Sequence, residues 1–454
     1  MLIESISGVR GISEQDLNDK ILISYAKGIN EFCKNGKILI ARDSRKSGEK
    51  FLSIIFQIIK QSGRKIENCG IVPTPTLQYA VESTNAVAGI MITASHNPSE
   101  WNGIKFIYED GCFFNEKQIN RLLKLKNEFL NNNNSSFNNI LLHDKSNNAI
   151  KLINNHIQKV LGISFIDFSK IKKRKLKIAV DAVNGAGSIA LPNLLKEVGC
   201  NVVEINCEPT GEFTRGTEPI PENLDFLSTT VLNEKCDIGL ATDPDGDRLA
   251  VIDNDGKPIG EEYTLVLALK YFLESTNYKK TVITNLSTTL AVDKIAKQNS
   301  VEVIRTKVGE INVVEMMKTQ QSSFGGEGNG GVIFGDIHLG RDSLVASILI
   351  IALLCKSGKS LSDLMNTLPK FYICKDKVSI KGINQNELFK KLNDIYKKNK
   401  RNNLDGLKIL FDDQWIHVRK SNTEPIVRIY AESNSLKKAN HLINDIKDII
   451  TKIN

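Results

Sequence analysis

The chain has 454 residues, of which 41% are hydrophobic and 25% charged, with a formal net charge of +8. This length and apolar content predict a soluble, globular protein of several packed domains rather than a disordered chain. No segment offers the roughly 20 apolar residues of a membrane helix, and the N-terminus lacks the pattern of a secretory signal, so we expect no membrane partner and a cytoplasmic location. The eight cysteines show neither Cys-x-x-Cys pairs nor zinc spacing, which predicts reduced thiols.

The first 100 residues alternate helix and strand patterns. We predict helices near 19–32 and 50–59, and strands at 38–41 and 88–93. Such alternation is typical of a mostly parallel sheet with helices on both faces. The last strand delivers Ser95 at its carboxyl end, where α/β folds place their chemistry.

Ser95 stands in the run Thr93-Ala94-Ser95-His96-Asn97-Pro98. The run could be an ordinary turn stopped by proline, or part of a hydrolase triad, although a triad base normally comes from elsewhere in the chain and no Gly-x-Ser-x-Gly elbow is present. Lys105 follows a polar turn and could face a phosphate as a point charge. These residues suit a serine that carries a phosphoryl group.

A polar stretch and a basic cluster follow. The chain is rich in asparagine after residue 120, at 131–134 and 138–139, which predicts a long surface excursion. The cluster at 170–177 could mean a nucleic-acid-binding module, but it lacks aromatic residues and leads into an apolar strand, so we favour a solvated junction and expect no nucleic acid. A second αβ set begins with a strand at 178–183, and the Gly-x-Gly turn after it is too short a fingerprint for a dinucleotide fold.

An acidic run lies between the predicted strands 238–240 and 249–252. It reads Asp243-Pro244-Asp245-Gly246-Asp247-Arg248 and places three carboxylates at alternate positions around a glycine. An EF-hand loop would need its glycine later and a glutamate at position twelve, where Asn254 stands. An acidic hairpin turn is the plainer alternative. We favour a site for one hard cation, with magnesium as the natural candidate.

The rest of the chain predicts a third αβ set and a smaller α+β domain. We expect strands at 281–284 and 301–304, helices at 265–273 and 343–354, and a last helix at 435–450. In the loop at 325–331, Glu327 is flanked by glycines, which predicts an exposed carboxylate for sugar hydroxyls or merely a flexible hinge. Near the end, a polar turn collects donors that suit a phosphate, namely Arg419, Ser421, Asn422, Thr423 and Arg428.

Taken together, the chain resembles the α-D-phosphohexomutases, the family of phosphomannomutase, phosphoglucomutase and phosphoglucosamine mutase. The resemblance covers nearly the whole chain and rests on four separated runs in the family's order. These are residues 95–98 with Lys105, residues 243–248, residues 325–331, and residues 419–425 with Arg428. It implies three doubly wound αβα domains with mixed sheets and a C-terminal α+β (TBP-like) domain around a central cleft, with boundaries at 1–155, 156–257, 258–369 and 370–454.

The resemblance also implies the chemistry. Phosphate passes from a phosphoserine at Ser95 to a hexose monophosphate, giving a hexose 1,6-bisphosphate that reorients and returns its other phosphate. Mg²⁺ is held by the phosphoserine and by Asp243, Asp245 and Asp247, while Arg248 supports the turn. Catalytic roles are implied for Ser95, His96, Lys105 and Arg10, and sugar-binding roles for Glu327 and Asn329.

Substrate preference and the general base are left open by the sequence. Gly331 occupies the position of a histidine found in well-known members, and His338 is a candidate substitute. The N-terminal run 5–11 and the glycine-rich loop look most like phosphoglucosamine mutases of bacteria, so we favour glucosamine phosphate, with phosphomannomutase or phosphoglucomutase activity as the alternative. A family member that binds phosphosugars without turning them over is a further alternative, which the intact serine, metal and phosphate runs argue against. We expect a monomer or homodimer.

Overall fold

The computed structural model describes residues 2–131, 148–420 and 426–452. They form two compact units. The first is built from residues up to 276 together with 329–366, and the second from 277–328 together with residues from 367 onward.

The N-terminal part of the first unit alternates strands and helices, as predicted. Its elements are β1 (Ile3–Ser5), β2 (Gly8–Ile12), α1 (Asp19–Phe32), β3 (Ile38–Arg42), α2 (Gly48–Gln61), β4 (Ile66–Ile71), α3 (Thr74–Ser83), β5 (Ala88–Ile92), β6 (Trp101–Tyr108) and α4 (Glu116–Asn131). The predicted helices near 19–32 and 50–59 are α1 and α2, and the predicted strands 38–41 and 88–93 are β3 and β5. The predicted asparagine-rich excursion lies almost entirely outside the described residues.

These strands form one mixed sheet in the order β1-β2-β6-β5-β3-β4. Strand β3 is parallel to β4 and β5, and β6 is antiparallel to β5 and β2. Apolar residues of β3 and β5 pack with α1, α2 and α4 in one core, whereas α3 covers the other face, where Val81 closely approaches Gly89. Parallel pairing puts the carboxyl ends of β3 and β5 at the same edge of the sheet, and Ser95 follows there.

The middle of the first unit contains a second mixed sheet. Its elements are α5 (Ala149–Leu161), α6 (Phe168–Arg174), β7 (Lys177–Asp181), α7 (Gly187–Glu197), β8 (Asn201–Ile205), a short 3₁₀ helix (Pro221–Asn223), α8 (Asp225–Asn233), β9 (Ile238–Thr242), β10 (Leu249–Ile252) and α9 (Glu261–Ser275). The strand order is β10-β9-β7-β8, with β9 parallel to β7 and antiparallel to β10. The acidic run 243–248 is therefore the connection between two paired strands.

The chain then enters the second unit and returns. The second unit contains β11 (Val282–Asn285), α10 (Leu290–Gln298), β12 (Val303–Thr306), α11 (Glu310–Gln320) and β13 (Phe324–Glu327), and in it β11 is parallel to both β12 and β13. The first unit receives β14 (Gly331–Phe334), α12 (Ser343–Ser357) and α13 (Leu361–Met365). Helix α12 is buried along most of its length and packs against α9.

The C-terminal part of the second unit is an antiparallel sheet with two helices. Its elements are β15 (Tyr372–Ser379), α14 (Gln385–Ile395), β16 (Lys400–Asn402), β17 (Leu407–Leu410), β18 (Trp415–Lys420), β19 (Ile426–Ser433) and α15 (Leu436–Thr451). The strand order is β15-β19-β18-β17-β16. Apolar residues of α14 and α15 share a core with these strands. The predicted fold class, mixed α/β sheets followed by an α+β domain, is confirmed.

Within the described ranges, no helix combines the length and the apolar character that crossing a membrane requires.

Candidate active site

Ser95 lies in the loop that follows β5, at the carboxyl edge of the first sheet. Only 2% of the residue is exposed. Its backbone has φ = 51°, in the left-handed region that residues other than glycine rarely occupy. The Ser95 N–H donates to Thr93 Oγ1 at 2.8 Å, which helps to hold this conformation. A strained backbone fixed by its surroundings is typical of functional sites.

Arg45 holds the loop around Ser95, and the motif analysis did not identify it. Its guanidinium is buried and donates to four carbonyl groups of the loop, those of Ser95, Asn97, Pro98 and Trp101. Asp43 fixes Arg45, with Nε and Oδ2 3.1 Å apart, and accepts a hydrogen bond from Thr93 Oγ1 at 2.6 Å. Burial raises the pKa of Asp43, and the charge of Arg45 offsets part of that rise. The polar run 42–45, directly after an apolar strand, is the sequence signal that could have identified Arg45.

The acidic turn, residues 243–248, connects β9 to β10. The three aspartates are buried, with exposed fractions of 0%, 0% and 1% for Asp243, Asp245 and Asp247. Each can place one carboxylate oxygen within 4.8 Å of the others. Ser95 Oγ donates to Asp243 Oδ2 at 3.2 Å, so the structure brings together the two runs on which the sequence prediction depends.

Three donors from other elements hold one oxygen of each of two aspartates. Lys105 Nζ lies 2.6 Å from Asp245 Oδ2 and 3.4 Å from Asp247 Oδ2. Thr74 Oγ1 donates to Asp245 Oδ2 at 2.8 Å, and Arg341 Nη2 donates to Asp247 Oδ2 at 2.7 Å. Thr74 and Arg341 belong to none of the predicted motifs.

The remaining oxygens of these carboxylates suit a cation. Oδ1 of Asp245 and Oδ1 of Asp247 are buried and accept no hydrogen bond from any residue that the structure describes. Burial, Asp247 and Asp245 together raise the pKa of Asp243 well above its usual value. Burial also opposes the ionised form of Asp245, but Lys105 and the hydrogen bonds outweigh it and lower that pKa. Buried, incompletely compensated carboxylates fit a divalent metal ion with oxygen ligands.

His96 and Lys105 have pKa values shifted in opposite directions, so they differ in charge near pH 7. Arg248, burial and Arg10 all lower the pKa of His96, in that order, to well below its usual value. Its Nδ1 lies 3.0 Å from Arg248 Nη2 and 3.5 Å from Ser95 Oγ. Burial works against the charged form of Lys105, but Asp245 and Asp247 overcome it and raise its pKa. His96 is therefore neutral near pH 7, and Lys105 is a fixed cation.

Arg10 and Arg248 complete the positive side of the site. Arg10 Nη1, on β2, donates to Asn97 Oδ1 at 3.1 Å. The backbone N–H of Arg248 donates to Asp243 Oδ1 at 3.2 Å, and its Nη1 donates to Glu218 Oε1 at 3.0 Å. Arg10 thus lies beside the serine loop and Arg248 at the acidic turn, and their roles there stay predictions.

Glu327 lies at the end of β13 in the second unit, and the prediction of an exposed side chain is wrong. Only 3% of the residue is exposed. Oε1 accepts hydrogen bonds from Asn285 Nδ2 at 2.8 Å and from the Gly309 N–H at 2.9 Å. The flanking glycines lack side chains to shield the carboxylate, but β11 and the start of α11 supply donors that hold it inside.

The other predicted loop residues belong to the first unit. Asn329 is partly buried just before β14. Arg341 packs so closely on Gly331 that a Cβ there would lie 2.2 Å from its Cδ. His338 is buried, and its Nε2 lies 3.1 Å from Asp342 Oδ2. The role of His338 as a substitute for a loop histidine stays a prediction.

The arginine pair, Arg419 and Arg428, lies on neighbouring strands of the second unit. The two residues are direct partners in the β18–β19 register. Arg419 has one ion pair, with Nη2 3.4 Å from Asp405 Oδ2, and its buried Nε donates to no residue that the structure describes. Like charges opposite each other destabilise a sheet unless an anion compensates them. Ser421, Asn422 and Thr423 lie outside the described residues.

Comparison with known proteins agrees with this fold. Sequence profiles of the phosphoglucomutase/phosphomannomutase family match four consecutive stretches. They are α/β/α domain I at residues 3–132, domain II at 154–256, domain III at 260–372 and the C-terminal domain at 378–449.

Individual relatives match over nearly their full length. A phosphoglucomutase/phosphomannomutase of Thermococcus kodakarensis is 36% identical over 95% of this chain and 94% of its own. A phosphoglucosamine/phosphogalactosamine mutase of Sulfurisphaera tokodaii is 32% identical over 98% of each chain. The crystal structure of a putative phosphomannomutase from Thermus thermophilus has the same fold, with a TM-score of 0.84, 22% identity and 99% coverage of each chain.

The profiles and the relatives define a sugar-phosphate mutase, an isomerase that transfers phosphoryl groups. The chain belongs to the phosphoglucomutase/phosphomannomutase family of α-D-phosphohexomutases.

Proposed function

We propose that this protein interconverts a hexose 6-phosphate and a hexose 1-phosphate through a phosphoserine at Ser95 and a hexose 1,6-bisphosphate, which also serves as activator. The observation that carries the proposal is the contact between Ser95 Oγ and Asp243 Oδ2 at 3.2 Å in a buried site. Among known reactions, a serine fixed against three carboxylates suits a phosphoryl group held beside a metal.

Asp243, Asp245, Asp247 and the phosphorylated Ser95 are the groups that would hold Mg²⁺. When bound, the ion compensates negative charge on the phosphoryl oxygens and on the departing oxygen. The buried Oδ1 atoms of Asp245 and Asp247, which accept no hydrogen bond from the residues described, support this assignment.

A hydroxyl oxygen of the sugar bonds to phosphorus while the bond from phosphorus to Ser95 Oγ breaks, and its electron pair stays on Oγ. His96, which is neutral and has Nδ1 3.5 Å from Ser95 Oγ, takes the hydroxyl proton and passes it to the departing Oγ. After the bisphosphate reorients, its other phosphate returns to Oγ by the reverse step.

Substrate recognition is assigned to separate groups for the phosphate and for the sugar. We infer that the arginine pair and residues 421–423 bind the phosphate that does not react, because the pair needs an anion. Glu327 and Asn329 would bind sugar hydroxyls. Since Glu327 is held by Asn285 and Gly309, its carboxylate is fixed in place before substrate binds.

We favour glucosamine 6-phosphate as substrate. The N-terminal run and the glycine-rich loop resemble phosphoglucosamine mutases, and the Sulfurisphaera relative carries that activity in its name. Phosphoglucomutase or phosphomannomutase activity is the second candidate, favoured by the name of the Thermococcus relative. The four domain boundaries, the cytoplasmic location and a monomeric or homodimeric state stay predictions.

Labelled substrate tests the proposal. Incubation with a hexose phosphate carrying ³²P should label the protein at Ser95, and intact mass should fall by one phosphoryl group after phosphatase treatment. The variant Ser95→Ala should lose turnover and label yet keep phosphosugar binding. Ser24→Ala is the control, because it removes another buried serine hydroxyl that bonds only within α1.

Two results would contradict these assignments. Full turnover of Ser95→Ala, or an active wild-type enzyme that never acquires label, would reject the nucleophile. In a panel of sugar phosphates, turnover of mannose 1-phosphate well above that of glucosamine 6-phosphate would reject only the preferred substrate.

A further inference from the structure

The segment Arg341 to Ser343, directly before and at the start of α12, contacts the acidic turn from outside the known motifs. Arg341 Nη2 donates to Asp247 Oδ2 at 2.7 Å. Ser343 Oγ donates to the carbonyl of Gly246 at 2.7 Å. Both donors are buried, with exposed fractions of 7% for Arg341 and 2% for Ser343.

Asp342, between these two donors, is held on both of its oxygens. Oδ1 accepts hydrogen bonds from the backbone N–H groups of Leu344 and Val345 and thereby caps α12. Oδ2 lies 2.8 Å from His156 Nε2 and 3.1 Å from His338 Nε2. All four partners are buried or belong to the backbone, so Asp342 has little freedom to move.

The two histidines connect Asp342 to other elements of the first unit. His156 lies on α5, and its Nδ1 is 3.0 Å from Thr76 Oγ1 on α3. Two histidines and an aspartate also have the composition of a metal site, and the three residues lie close enough to share an ion. The distances from both Nε2 atoms to one carboxylate oxygen are hydrogen-bond distances, however, and two N–H donors satisfy that oxygen without an ion.

We propose that Arg341, Asp342 and Ser343 form a clamp that fixes the acidic turn for metal binding, and that His156 and His338 fix the clamp. Arg341 and Ser343 are positioning residues for the aspartates, and Asp342 and the histidines act through them. This inference rests on the proposed function, since it concerns the same metal. It also assigns His338 to the support of the site instead of to proton transfer.

The geometry explains why the clamp matters for a metal. Arg341 binds Oδ2 of Asp247 and leaves Oδ1 of the same carboxylate without a donor among the described residues. Ser343 holds the carbonyl of Gly246, whose φ of 68° forms the bend between Asp245 and Asp247. The clamp therefore sets both the orientation of one ligand and the bend that spaces two of them.

Two buried serines of α12 provide a matched pair of variants. Ser343→Ala removes the bond to the turn, whereas Ser347→Ala removes a bond of 2.8 Å to Leu344 within the same helix. Neither change alters charge. The probe is Mn²⁺ binding to the full-length protein, measured by calorimetry and by electron paramagnetic resonance, with thermal unfolding recorded for each variant.

We expect Ser343→Ala to weaken Mn²⁺ binding about five- to tenfold, the factor that one hydrogen bond supplies, while Ser347→Ala keeps wild-type affinity. Turnover of Ser343→Ala should recover when the metal concentration is raised, which a general loss of stability would not permit. His338→Gln should weaken Mn²⁺ binding about two- to fivefold, with the exposed His441→Gln as its control.

Equal Mn²⁺ affinities for Ser343→Ala and Ser347→Ala would overturn the clamp. The proposed function has a separate check in Asp245→Asn. If that variant bound Mn²⁺ as well as the wild type does, the metal assignment would fail, and the clamp with it. Loss of affinity in Asp245→Asn without loss in Ser343→Ala would reject the clamp alone.

Discussion

The acidic turn of the first unit and the arginine pair of the second treat charge in opposite ways. In the turn, the buried carboxylates of Asp245 and Asp247 accept hydrogen bonds from Lys105, Thr74 and Arg341. The arginine pair places two like charges opposite each other on β18 and β19, with an ion pair from Arg419 to Asp405 among the described residues. The acidic turn is thus largely compensated within the protein, whereas the arginine pair, if it binds phosphate as proposed, is compensated by its ligand.

The largest effect is expected from removing one of the buried negative charges of the acidic turn. Asp245→Asn should lower turnover at least about a hundredfold, the scale on which groups that stabilise transition-state charge act, and should abolish Mn²⁺ binding. Because the change leaves buried Lys105 short of its main partner, the unfolding temperature should also fall. Steady-state kinetics and calorimetry measure both quantities.

The control for this variant is Asp255→Asn, an exposed aspartate in the turn after β10. It should change neither turnover nor metal binding. Wild-type kinetics in Asp245→Asn would show that the turn is an ordinary acidic hairpin.

Removing a charge from the arginine pair should weaken substrate binding without lowering stability. Arg419→Met should raise KM for the sugar phosphate about 10- to 100-fold, since charge-assisted hydrogen bonds to phosphate are lost. Its unfolding temperature should hold or rise, because repulsion across the strands is relieved. Added inorganic phosphate should stabilise the wild type more than the variant.

Lys400→Gln serves as the comparison, because Lys400 is an exposed cation of β16 in the same sheet. A drop in stability of Arg419→Met with unchanged KM would mean that Arg419 is structural and would break the contrast between the two regions.

The smallest effect on turnover is expected from His417, which links β18 to its surroundings. The residue is fully buried, with Nδ1 2.9 Å from Ser287 Oγ and Nε2 2.6 Å from the carbonyl of Asp405. Burial lowers its pKa from 6.5 to about 4. Between these values the unfolded chain binds more protons, so the free energy of unfolding should decrease as the pH is lowered from 6.5 to 4, by up to about 3 kcal/mol. The contribution is fully present above pH 6.5.

Denaturant unfolding at pH 7 and pH 5, followed by the fluorescence of nearby Trp415, measures this dependence. His417→Gln should flatten it without changing turnover at pH 7, whereas His441→Gln should leave it intact. A wild-type protein whose stability is the same at both pH values would contradict the assignment.

The sequence was sufficient to predict several helices and strands, and to identify Ser95 and the aspartates of the acidic turn as candidate site residues. Helix α1 and strand β10 have the predicted bounds, because their apolar periodicity and flanking polar residues are clear. Helix α9 begins at Glu261, four residues before its predicted start, since Glu261 and Glu262 form a polar first turn that periodicity does not mark. Ser95 and the aspartates could be identified because each lies in a polar motif that directly follows a predicted strand.

The residues that hold the aspartates in place could not be predicted from the sequence, for a physical reason. The bond from Thr74 to Asp245 joins residues 171 apart in the chain, and the bond from Arg341 to Asp247 joins residues 94 apart. Neither residue has a local pattern that indicates its partner. Glu327 was misjudged for the same reason, because its glycines are local whereas Asn285, which holds it, lies 42 positions away.

The left-handed backbone of Ser95 restricts which amino acid could carry the proposed phosphate ester. Threonine has an equivalent hydroxyl group, yet a β-branched residue is a genuine outlier at φ = 51°, so threonine would add strain that serine avoids. Backbone conformation thus favours serine over threonine at this position, whatever the reactivity of the two hydroxyl groups. The choice of residue at the proposed nucleophile is restricted by torsion angles as well as by chemistry.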